Sequence, residues 1–131
     1  MIVIGIDPHM KTHTAVALDA ATGRSIGEKT VTCTDTGHDE LLAWARRLDP
    51  ARVFAIEDCR HVSGRLERHL VPAGERVVRV PPKMMAGARA SARTYGKSDG
   101  IDAACVARVA LREPQLPEAC LSGPEHDIRL L

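Results

Sequence analysis

Apolar positions fall into short runs in the first third of the chain and into helical repeats further on, and the two periods divide it into elements. Ile2 to Ile6 is a continuous apolar run rich in β-branched residues, the pattern of a central strand covered on both faces, and Asp7-Pro8 stops it. Thr12 to Leu18 and Ser25 to Thr32 carry Thr, Val and Ile in partial alternation around the turn-forming stretch Asp19 to Arg24, which predicts a hairpin. Thr36 then suits an N-cap with Asp39 three residues on, and Leu41, Leu42, Ala45 and Leu48 recur at helical spacing until Pro50.

Arg52 to Glu57 reads as a second buried strand that ends, like the first, on a carboxylate. Val62, Leu66 and Leu70 repeat every four residues on a helix closed by Pro72 and Gly74, and Arg76 to Val80 is a further strand stopped by Pro81-Pro82. Lys83 to Arg93 is Ala-rich and helical in character, Tyr95-Gly96-Lys97 breaks it, and Asp99 to Arg112 is a last helix with Ile101, Cys105, Val106, Val109 and Ala110 as its apolar surface. Strands that alternate with helices after residue 50 require right-handed crossovers and parallel pairing. The fold class is therefore α/β, a mixed sheet in which an antiparallel three-strand meander joins parallel strands, with flanking helices. Residues 1–112 form the domain; residues 113–131, rich in proline up to Pro124 and apolar again at Ile128, Leu130 and Leu131, read as a linker and the start of a truncated helix.

Composition narrows the functional classes. The chain has 131 residues, 44% hydrophobic and 27% charged, which is one compact domain of ordinary globular make-up. Its aromatics are Trp44, Phe54 and Tyr95, too few for a stacking platform on single-stranded nucleic acid. With 18 Lys and Arg against 17 Asp and Glu the net charge is +1, so any attraction to nucleic acid must come from a local patch. Cys33, Cys59, Cys105 and Cys120 form no Cys-x-x-Cys pair, and His38, His61, His69 and His126 show no ligand spacing, so neither a zinc knuckle nor a redox motif is indicated. The N-terminal apolar run meets Asp7 too soon for a signal peptide, and no run approaches a membrane span; the expectation is a soluble, reduced, cytoplasmic protein with no membrane partner.

The chemistry is carried by acids. Asp7 and Glu57 end two strands, and Asp99 and Asp102 share one turn at the start of the last helix. If the two strands are neighbours, these carboxylates converge, repel one another and call for hard cations, Mg²⁺ or Mn²⁺. Two such ions about 4 Å apart activate a nucleophile and stabilise a leaving oxygen in phosphodiester transfer. Each acid has a plainer reading: Asp7-Pro8 as a turn, Asp99 as an N-cap, Asp102 as a dipole complement, and Asp58 stands as the alternative to Glu57. Arg79, Lys83, Arg89, Arg93 and Lys97 form an acid-free basic run leading into Asp99, suited to phosphate contacts.

Gly5-Ile6-Asp7-Pro8-His9, Thr12 to Asp19, Ala55-Ile56-Glu57 and above all Gly96-Lys97-Ser98-Asp99-Gly100-Ile101-Asp102-Ala103 resemble the N-terminal domain of the insertion sequence 110 family of DEDD transposases, which are similar to Holliday-junction resolvases. The resemblance runs over residues 2 to 131 and implies an RNase H-like fold. It implies metal binding and DNA cleavage and strand exchange at Asp7, Glu57, Asp99 and Asp102, DNA as substrate, a structured guide RNA as partner and a homo-oligomer when full length. The family commonly has Asp-Pro-His-Lys where this chain has Met10 after His9, which moves the lysine to Lys11 and puts its phosphate contact in question. Family members are longer, with a C-terminal domain that bears a serine nucleophile, so the resemblance also implies a truncated copy. The alternative is a catalytically inactive remnant that binds nucleic acid or pairs with a full-length transposase. An actin-like sugar kinase shares the opening Gly-Ile-Asp, but the small-residue phosphate loop after it is missing.

Overall fold

In a computed structural model of the chain, residues 1–92 and 99–120 are described, the side chains of 89–92 and 99 excepted. The strands are β1 (Ile2–Pro8), β2 (Thr12–Asp19), β3 (Ser25–Thr32), β4 (Arg52–Glu57) and β5 (Val77–Val80). The helices are α1 (Asp35–Leu48), α2 (Arg60–Leu70), α3 (Met85–Ala92), which follows a 3-10 turn at Pro82–Met84, and α4 (Asp99–Arg112). One sheet of order β3-β2-β1-β4-β5 results, antiparallel through β1, β2 and β3 and parallel from β1 to β4 to β5. This is the mixed α/β sheet that the alternation of elements predicts.

β1 lies at the centre and is buried on both faces, as its uninterrupted apolar run requires. Alternation sends Ile2, Ile4 and Ile6 into one layer with Phe54, Leu41, Leu66 and Leu70. Val3 enters the other layer with Val16, Val53 and Val78, under Val106 and Val109 of α4. Gly5 takes the place where a side chain of that second layer would stand. A Cβ there would fall 2.1 Å from the carbonyl oxygen of Ala103 and 2.6 Å from the amide nitrogen of Ala107, so β1 and α4 meet backbone to backbone. Glycine on the strand and alanines on the helix are what permit that approach.

Two local details differ from the sequence expectation. The N-cap of α1 is Thr34, not Thr36: Thr34 is extended (φ −136°, ψ 165°) and its hydroxyl accepts the Gly37 N–H at 3.0 Å. The helix therefore begins at Asp35, which sets Asp35 and His38 three residues apart on its first turn. Beyond α4, the proline-rich stretch read as linker chemistry holds a piece of ordered pairing. Val78 and Glu118 form an antiparallel bridge, Arg79 N–H donates to the Pro117 carbonyl at 2.8 Å, and Ala119 is buried against the first layer. The outer edge of β5 is thereby covered, which spares the sheet an open edge.

The first layer also buries imidazoles. His13 of β2 and His38 of α1 are 1% and 0% exposed and stack with ring centroids 5.7 Å apart. Burial, then the nearby His38 and His9, lower the His13 pKa from 6.5 to about 4. The unfolded chain binds this proton first on acidification, so the stability tied to neutral His13 is complete above pH 6.5 and drains away towards pH 4.

Two predictions follow from the packing. Gly5→Ala is expected to cost on the order of 3 kcal/mol or to prevent folding, because the added methyl overlaps main chain and no side chain can rotate away; urea denaturation measures it. Thermal melts in chelator should show a falling midpoint between pH 6.5 and about 4, and replacing His13 by Asn should flatten that slope.

Candidate functional site

β1 and β4 run parallel in register up to the pair Ile6 and Ile56, so Asp7 and Glu57 are the next residues on adjacent strands. By alternation Asp7 lies on the face of Val3 and Gly5, and Glu57 on that of Val53 and Ala55, which is the face α4 covers. Asp7 is 4% exposed, and Glu57 is partly buried. Of the two acids between which the sequence does not choose, Asp58 has its carboxylate held by the Arg60 guanidinium at 3.0 Å.

α4 brings the second pair. Its Ala103 and Ala107 straddle Gly5, while Ala110 and Leu111 line a groove with Met1 and Val3, so the helix runs antiparallel to β1 and its first turn overhangs the strand end where Asp7 sits. Asp102 directly precedes Ala103 and is partly buried; Asp99 is the first residue of the helix, and its side chain lies outside the described residues. Sequence reasoning missed one more acid. A Cβ on Gly100 would fall 2.6 Å from a Glu28 carboxylate oxygen, so β3 delivers Glu28 against the first turn of α4, where the positive end of the helix dipole favours an anion. Its signal lay in strand parity, since Glu28 stands opposite Val16 in the β2–β3 pairing.

A buried carboxylate requires positive charge or hydrogen-bond donors. Nε2 of His9 stands 2.9 Å from Oδ2 of Asp7, so the residue two beyond the acid turns back to contact it. Of the basic residues, Lys11 and Lys83 are exposed, and the side chain of Arg89, with Arg93 and Lys97, lies outside the described residues. Arg79 does not belong to a phosphate-binding surface. It sits on the opposite sheet face from Val78 and Val80, where its guanidinium grips Glu67 of α2 through two hydrogen bonds of 3.0 and 2.8 Å. Both partners are largely buried, the Glu67 side chain 3% exposed. Arg79→Ala is therefore expected to lower stability by about 3 kcal/mol or more, because it strands the Glu67 charge. DNA affinity measured by fluorescence anisotropy should stay unchanged under conditions where the variant is folded.

Among the described residues, the group whose ligand atoms all lie within 4.8 Å of one another is not the acids but Asp35, His38 and His69, on the other side of the sheet. The sequence reading found no ligand spacing at these histidines. α1 and α2 pack together and bring His38 and His69 into an edge-on ring contact of 5.4 Å. Asp7 and Glu57 end adjacent parallel strands, and Asp102 stands in the first turn of the helix that overhangs them.

The sheet order, the central buried strand and the helix laid across it are those of an RNase H-like fold, and solved structures of that class superpose on the chain. Thermus thermophilus RuvC matches with a TM-score of 0.66 at 16% identity, covering 91% of this chain and 100% of that one. T. thermophilus RuvC in complex with Holliday junction substrate matches with a TM-score of 0.64 at 14% identity, covering 91% and 99%. A family model described as transposase, that of the insertion sequence 110 DEDD type, matches residues 4–128, and the chain belongs to that family. Among curated proteins none matches. No helix of the described residues is long and apolar enough to cross a membrane.

Proposed function

We propose that the chain acts in DNA transposition as the metal-dependent cleavage and strand-transfer domain of a DEDD transposase, with Asp7, Glu57, Asp99 and Asp102 as its metal-binding and catalytic residues. The observation that carries this reading is the placement of buried Asp7 beside Glu57, under the first turn of the helix that bears Asp99 and Asp102. Donors that are all carboxylate oxygens suit Mg²⁺ or Mn²⁺. When bound, such ions would lower the pKa of an attacking hydroxyl and neutralise charge on the scissile phosphate.

The chain's own residues have separate tasks. Asp7, locked at the end of a central strand, fixes the position of the site, and His9 orients its carboxylate from 2.9 Å. Glu57 supplies the neighbouring oxygens from β4. Lys11 in the β1–β2 turn and Lys83 before α3, both exposed, offer cations to the flanking phosphates, and Arg89, Arg93 and Lys97, which precede Asp99 in the sequence, add to that charge. DNA is the substrate, and a Holliday junction bound to a RuvC of the same fold supports a branched duplex as its form. A structured guide RNA, a homo-oligomeric assembly and a cytoplasmic location complete the reading. Residues 1–112 carry the chemistry.

Calorimetric titration with Mn²⁺ tests this without requiring turnover. Binding to the wild-type chain that weakens at least tenfold in Asp102→Asn and Asp7→Asn is the expected result. Binding that is equal in all three chains would overturn it, and salt-dependent DNA binding without metal binding would favour an inactive remnant that only holds nucleic acid.

A further inference from the structure

We propose that Asp35, His38 and His69 form a second metal site, selective for a Zn²⁺-class ion, on the sheet face opposite the carboxylates. One ligand atom of each lies within 4.8 Å of the other two. Ligands around a tetrahedral ion stand about 3.4 Å apart, so closure needs side-chain movements on the order of 1 Å. Two imidazoles and one carboxylate, with water in the fourth position, suit Zn²⁺ and are poor ligands for Mg²⁺.

The independent sign of a ligand is His38 itself. Its side chain is wholly buried, and neither Nδ1 nor Nε2 has a hydrogen-bond partner. A buried imidazole with both nitrogens unmatched carries a desolvation cost that an ion at one nitrogen would offset. Burial, and then His69 and Arg65, lower the His38 pKa, which favours the neutral form that ligates. His69 is held through Nε2 by Asp39 at 2.8 Å, the carboxylate–imidazole pairing that commonly orients a metal-bound histidine, and its Nδ1 remains to ligate.

Behind the ligands, His13 stacks on His38 with the rings 17° from parallel and fixes its plane. Asp35 and His69 face solvent enough to admit an ion. Arg65 touches Asp35 at 3.4 Å between two exposed side chains, a contact weak enough for a dication to displace. The ion would join the first turn of α1 to the last turn of α2, so its binding energy would add to the stability of the fold.

The whole chain, freed of metal by chelation, is titrated with Zn²⁺ followed by thermal melting, and with Co²⁺ followed by visible absorption. The expected result is one Zn²⁺ per chain in the presence of excess Mg²⁺, a melting temperature raised by several degrees, and the absorption bands of tetrahedral Co²⁺ bound to nitrogen and oxygen. His69→Gln and Asp35→Asn, at partly or fully exposed positions, should still fold and should each weaken binding at least tenfold. Asp7→Asn should bind Zn²⁺ as the wild type does. Absence of binding, retention of wild-type affinity in either ligand variant, or loss of it in Asp7→Asn would each overturn the proposal.

Discussion

The backbone contact between β1 and α4 at Gly5 is the constraint on which the rest depends. α4 is laid across the middle of the sheet at a distance set by atoms that cannot move aside, the Ala103 carbonyl and the Ala107 amide against a strand with no Cβ. A helix held that close has its axial position fixed as well, since sliding by one residue would set a side chain where only glycine fits. Each step along α4 advances 1.5 Å, so locking Ala103 over Gly5 locks the start of the helix over the end of β1. Asp7 and Asp102 owe their common location to packing one or two residues away from them, in an apolar layer with no chemistry of its own.

Much of this architecture was legible because strand and helix write different periods. The run from Ile2 to Ile6 and the fourfold repeat of Val62, Leu66 and Leu70 each gave an element, and the order of elements gave the mixed sheet. Acids at strand ends stood out because an apolar run stopped on them. The Thr34 cap was not legible, since Thr34 and Thr36 are both sound caps and the choice was made by the neighbouring strand end, where Gly37 packs against Thr32. Nor was the fate of Arg79: a guanidinium in a basic run reads as a phosphate ligand until strand parity turns it to the other face, where Glu67 waits on a helix. The histidines were hidden for a related reason. His38 and His69 lie on different helices, and ligand spacing in a sequence reports sites built within one loop or one helix, not sites made by two helices packing together.

The sheet keeps two kinds of donor apart. Asp7 pairs with Thr14 across β1 and β2, and the next residue on β2, His13, points through to the opposite layer. One step along a strand thus separates carboxylate oxygens under α4 from imidazoles under α1. Under the proposed metal-dependent function the separation has chemical value, because a site of mixed oxygen and nitrogen donors would bind Zn²⁺ more tightly than Mg²⁺ and be blocked by it. The two sets nevertheless share a frame. The His9 ring contacts Asp7, the His9 carbonyl accepts from the Cys33 thiol at 3.2 Å, and that sulfur lies 3.2 Å from Nε2 of His13. The turn that carries His9 is therefore anchored on both sides of the sheet, and the same turn presents Lys11 to solvent. Rigidity in this turn serves the acid site directly, since the hydrogen bond that orients Asp7 is only as fixed as the loop that delivers it.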